Sequence, residues 1–111
     1  MNFTTVINGT SARITPRGDI DADTLAPLRT AVHALPPHVT DLQWDLRGTF
    51  FMDVTGLHLF VPSSTPAGAA RRRITVTGLQ DQPARLLLLA ADTRPDVIDF
   101  AGLLPDSPAG L

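Results

Sequence analysis

The chain has 111 residues and a formal charge of −2, with no lysine, glutamate, cysteine or tyrosine; all nine cations are arginine and all eleven anions are aspartate. Those absences exclude disulfide scaffolds, cysteine-based zinc and iron–sulfur sites, thiol nucleophiles, Schiff-base or Walker lysines, and glutamate as a general acid or base. The length suits one domain, since domains commonly run to about 100–150 residues, and 43% hydrophobic with 18% charged residues is the balance of a globular chain.

Phe3 to Ile7 is β-rich, and the Asn8-Gly9 that follows suits a two-residue hairpin turn into a strand over Ala12 to Thr15. Pro16 cannot donate to a ladder, so this strand should end there or leave that side unpaired. An acidic loop, Gly18-Asp19-Ile20-Asp21-Ala22-Asp23-Thr24, precedes Leu25, Leu28, Val32 and Leu35 at helical spacing. Thr24 is the expected N-cap, which puts Pro27 at the third helical position, and Pro36-Pro37 ends the helix.

Val39 to Leu46 alternates like a strand, with Leu42, Trp44 and Leu46 on one face and Asp41, Gln43 and Asp45 on the other, until Arg47-Gly48 breaks it. Asp53 is a good N-cap for about two helical turns over Val54 to Val61, and Pro62 to Ala70 reads as a loop. Arg73 to Thr77 alternates as another strand. Gln82-Pro83 opens a third helix through Leu86 to Ala91, and Val97 to Phe100 suits a short final strand. The first residues lack a basic stretch followed by an apolar core, and the longest aliphatic run is the six residues Leu86 to Ala91. Neither a signal peptide nor a spanning helix is expected, which points to a cytoplasmic location.

Repeated strand–helix–strand units imply an α/β domain with three helices on a mostly parallel sheet of about four to five strands, one of them the antiparallel hairpin strand. Such junctions place functional loops at the carboxyl ends of strands, which singles out Gly18 to Thr24 and Phe50 to Gly56.

His33, His38 and His58 match no zinc signature, and Asp19, Asp21 and Asp23 begin like a calcium loop without its bidentate glutamate. With no nucleophile elbow and no glycine-rich phosphate loop, no catalytic residue, metal or cofactor is assigned. Arg71-Arg72-Arg73 is the only basic run, and at a net charge of −2 it reads as the solvated start of a strand rather than a nucleic-acid footprint. What remains is Phe51-Met52-Asp53-Val54-Thr55-Gly56-Leu57. Asp53 would cap a helix whose free N–H groups and positive dipole end face solvent, a place that tolerates phosphate. On the residues alone, the favoured reading is an ordinary capped helix that lays Leu57 and Phe60 on the sheet.

At these residues the sequence resembles the STAS family, the domain of bacterial anti-sigma factor antagonists. Gly18-Asp19-Ile20-Asp21 is similar to the family's G-[ED]-[LI]-D element, Asp45-Leu46 to its D-L, and residues 51–57 to its F-[MI]-D-S-[ST]-G-[LI]. The resemblance covers roughly Ala12 to Leu104 and implies a STAS-like domain, assigned to residues 1–104, that acts as a non-enzymatic switch; the terminal residues 105–111 are expected to form a frayed, flexible tail. Its partner would be an anti-sigma factor of the ATP-binding serine kinase type, with a phosphatase reversing the kinase's action.

In that family the kinase modifies the first hydroxyl residue after the aspartate, and the position is Val54 here. Thr55 is the only local acceptor, about 100° further round a helix axis. The expectation is therefore constitutive binding, or regulation by something other than phosphorylation at residue 54, through Asp21, Asp23, Asp53, Val54, Thr55, Gly56 and His58. Asp21→Ala is expected to weaken docking at unchanged melting temperature. A STAS adaptor subunit of a transporter ATPase or larger signalling assembly is the alternative, ahead of a small enzyme or ligand-binding domain, and an unpaired edge strand leaves a homodimer open.

Overall fold

The computed structural model describes residues 2–60 and 72–93. β1 (Asn2–Asn8) and β2 (Ser11–Arg17) form a hairpin, antiparallel from Asn2 opposite Arg17 to Asn8 opposite Ser11. Asn8 thus still belongs to the ladder, and the two loop residues are Gly9 and Thr10, one position later than the sequence suggests. Gly9 takes the positive φ that the turn requires, +65°.

Pro16 does not end its strand. In a two-residue hairpin the closing pair is hydrogen-bonded and pairs alternate from there, so Pro16 opposite Phe3 falls at a non-hydrogen-bonded position and its missing N–H costs β1 nothing. Toward the other neighbour, the ladder has already stopped at Ile14 opposite Trp44.

The remaining elements are α1 (Ala22–His33), β3 (Asp41–Asp45), a 3-10 helix (Val54–Leu59), β4 (Arg73–Thr77) and α2 (Asp81–Thr93). The sheet order is β1-β2-β3-β4, with β2–β3 and β3–β4 parallel. This is the single α/β domain that the alternation of strand and helix patterns implies. Val97 to Phe100, the loop over 62–70 and the tail over 105–111 lie outside the described residues.

Period-two burial sets the core. Ala12 and Ile14 of β2, Leu42 and Trp44 of β3 and Val76 of β4 are buried on one face, together with Leu28 of α1, Leu59 and Phe60 at the end of the 3-10 helix, and Leu87 of α2. Trp44 is fully buried and meets Phe60 edge to face, with ring centroids 5.8 Å apart. Asp41 and Gln43 lie half-buried on the opposite face, as expected, but Asp45 is buried. Its carboxylate accepts from the Arg47 main-chain N–H and pairs with the Arg47 guanidinium at 3.0 Å, which satisfies the charge where β3 ends.

Within the basic run, Arg73 is exposed and begins β4 as expected, whereas Arg72 departs from that expectation. Arg72 turns back, its Nε donating to the Val39 carbonyl at 2.9 Å and its Nη2 to the Pro36 and Leu35 carbonyls at 3.1 and 3.3 Å. It fixes the link between α1 and β3 to the start of β4.

Candidate functional site

The acidic loop after β2 and the loop after β3 are bonded into one surface. Gly18 N–H donates to the Gly48 carbonyl, Ile20 N–H to the Phe51 carbonyl and Asp53 N–H to the Ile20 carbonyl, each at 3.0 Å. Ile20 and Met52 form a parallel bridge, and both side chains are fully buried. The bridge uses the main-chain groups on either side of Met52 and leaves Met52's own N–H and C=O pointing the other way. Both are taken by one side chain from the first turn of α2: Gln82 Oε1 accepts from Met52 N–H at 2.8 Å, and Gln82 Nε2 donates to the Met52 carbonyl at 2.9 Å. A primary amide is the side chain that can donate and accept side by side, so Gln82 replaces a neighbouring strand. Sequence reasoning missed it, because nothing in a linear pattern connects residue 82 to residue 52.

Both helix N-termini at this surface are capped by aspartate. The N-cap of α1 is Asp21, not Thr24: Asp21 Oδ1 accepts from the N–H groups of Asp23 and Thr24 at 3.0 and 3.1 Å, and Thr24 Oγ1 accepts from Asp21 N–H at 2.9 Å. That reciprocal pair is a capping box, and it starts the helix three residues earlier than expected. Pro27 consequently sits at the sixth helical position rather than the third. It is exposed there, so water can satisfy the carbonyl that its missing N–H leaves free.

Asp53 caps the second helix, Oδ1 accepting from both the N–H (2.9 Å) and the hydroxyl of Thr55. Gly56 N–H donates to the Asp53 carbonyl at 3.0 Å. The N–H groups of Thr55 and Gly56, expected to stand free for an anion, are therefore occupied. The helix is also 3-10 rather than α, and it packs closely. A Cβ on Gly56 would lie 2.6 Å from Met52 Cγ and 3.0 Å from Ile20 Cγ2, so the chain is pressed onto the bridge beneath it. At three residues per turn, Thr55 and His58 share one side, and Val54 stands about 120° from Thr55 rather than 100°.

What faces solvent includes both apolar and acidic residues. Phe50 is 65% exposed, Phe51 45% and Val54 66%. Asp23 and His58 are exposed, Asp21, Asp53 and Thr55 are half-buried, and Gly56 is buried. The structure thus brings Asp21, Asp53, Val54 and Thr55 onto one surface, while Gly56 is buried against Met52 and Ile20. Phe50 was absent from the sequence-derived site; its exposure is legible only once the burial of Met52 fixes which residues of the loop point outward.

Among the described residues no three histidines or aspartates converge as metal ligands, and no helix is long and apolar enough to cross a membrane. A family model described as "Mlab, STAS domain" matches residues 3–103. Among curated proteins nothing matches the chain.

Proposed function

Because the chain belongs to the STAS domain family, we propose that it is an anti-sigma factor antagonist-like switch that sequesters an anti-sigma factor of the ATP-binding serine kinase type. Docking runs through Asp21, Asp23, Asp53, Val54, Thr55 and His58, with Phe50 and Phe51 as added anchors. The observation that supports this reading most is the exposure of Phe50, Phe51 and Val54 in the loop that carries Asp53 and is hydrogen-bonded to the loop that carries Asp21 and Asp23. Solvent-facing aromatic and aliphatic anchors in loops that also carry aspartates suit a partner with an apolar socket edged by cations.

Control by phosphorylation fits this chain poorly. Val54 has no hydroxyl, and the Thr55 hydroxyl donates to the carboxylate that caps its own helix. A phosphoryl group on Thr55 would break that cap and set about two negative charges against Asp53. The partner is therefore held constitutively or released by another signal.

The same absence of a hydroxyl at Val54 favours a second reading, in which the surface anchors a subunit of a transporter ATPase or larger assembly without phosphoryl transfer. A photo-cross-linking residue at Val54, used in the native host and followed by mass spectrometry, separates them. Cross-links to a kinase-fold anti-sigma factor support the first reading, cross-links to a transporter ATPase support the second, and cross-links to neither refute both.

A further inference from the structure

The outer edge of the sheet carries a second surface, independent of the docking loops. Among the described strands β1 lies at one edge of the sheet, and from Asn2 to Asn8 every residue except Phe3 is exposed. Edge strands are ordinarily protected from pairing by charge, proline or a bulge. β1, with sequence NFTTVIN, has neither charge nor proline, and its ladder with β2 advances one residue at a time without a bulge. Val6 and Ile7 are 58% and 46% exposed.

The strand is also complementary to itself. Turned about Thr5 and laid antiparallel on a second copy, it sets Asn2 opposite Asn8, Phe3 opposite Ile7, Thr4 opposite Val6, and Thr5 opposite Thr5. Each pair is amide with amide, apolar with apolar, or β-branched with β-branched, which are favourable cross-strand partners, and no like charges meet. The main chain agrees. Because Asn8 and Ser11 close a two-residue hairpin, the groups of Asn2, Thr4, Val6 and Asn8 face β2, and those of Phe3, Thr5 and Ile7 face outward. Those outward residues are the ones that this register pairs with one another.

We propose that the chain forms a twofold homodimer by antiparallel pairing of β1 with β1 about Thr5. The twofold closes the contact, so one edge of each copy is consumed and no open array grows from it. The two sheets become continuous and run antiparallel, which places the two docking surfaces at opposite ends of the dimer.

Light scattering and sedimentation on the whole chain test this, with Thr5→Pro as the decisive variant. Proline there removes an outward N–H and no bond to β2. The wild type should run at twice the 11.9 kDa chain mass, and Thr5→Pro at the chain mass with its circular dichroism intact. Because the chain contains no cysteine, Thr5→Cys adds a readout that does not depend on how proline is tolerated. A hydrogen-bonded antiparallel pair sets Cα atoms about 5.5 Å apart, within disulfide reach, so mild oxidation should cross-link two copies of Thr5→Cys and far less of Ser11→Cys. A monomeric wild type, a dimer that survives Thr5→Pro, species that grow without limit, or no cross-link at residue 5 would each overturn the proposal.

Discussion

Val54 and Thr55 begin the same short helix and divide its chemistry between them: one offers an exposed side chain with nothing to phosphorylate, the other a hydroxyl already bonded to Asp53. Val54→Ser should therefore introduce an acceptor that a cognate kinase modifies, where the wild type stays unmodified; intact-mass spectrometry after incubation with ATP reads the difference. Gly56, the next residue, is buried. Gly56→Ala forces a methyl into Met52 and Ile20, and overpacking of this kind costs roughly 1–3 kcal/mol, visible as a lower midpoint in urea at unchanged slope. Gln82→Met keeps the shape and removes both bonds to the buried Met52 peptide. Each unsatisfied group costs about 1–3 kcal/mol, and hydrogen exchange should quicken first at residues 51–53. The motif around Asp53 could be read from sequence because capping and glycine chemistry are local. Gln82 could not, since its function exists only after the sheet has brought α2 beside the loop.

Among the elements, strands were the most legible. Alternation at Ile74 and Val76 places a strand over Arg73 to Thr77, and the structure has β4 with those bounds. Helix starts were less so. Thr24 looks like an N-cap in one dimension, but Asp21 can bond two N–H groups and exchange a third bond with Thr24, so the box begins the helix earlier. This changes a prediction. Asp21→Ala should lower stability by about 0.5–2 kcal/mol through the lost cap and cannot report on docking alone. Asp21→Asn keeps the capping oxygen and removes the charge, so thermal melts of the two variants should differ, with Asn close to wild type; any weakening of partner binding by Asp21→Asn then belongs to the surface. The second helix was legible with its Asp53 cap, but its 3-10 form was not, and neither was the close approach of Gly56 to a bridge whose partner strand segment lies far away in sequence.

At the scale of the molecule, one buried face carries the helices, the carboxyl ends of β2 and β3 feed two loops that hydrogen-bond each other, and β1 forms one edge of the sheet among the described strands. Aspartate, the chain's sole acidic residue type, supplies both helix caps at this surface. The central claim is that the surface over Asp21, Asp53 and Val54 holds a protein partner without phosphoryl control. Calorimetric titration of the chain against a cognate ATP-bound, kinase-type anti-sigma factor, before and after incubation with ATP, tests it most directly. The account predicts an unchanged Kd, no phosphate on Thr55, and a loss of affinity of about tenfold or more, some 1.4 kcal/mol, for Val54→Asp at unchanged melting temperature. Stoichiometric phosphate on Thr55 with loss of binding, or Val54→Asp binding as tightly as the wild type, would contradict it.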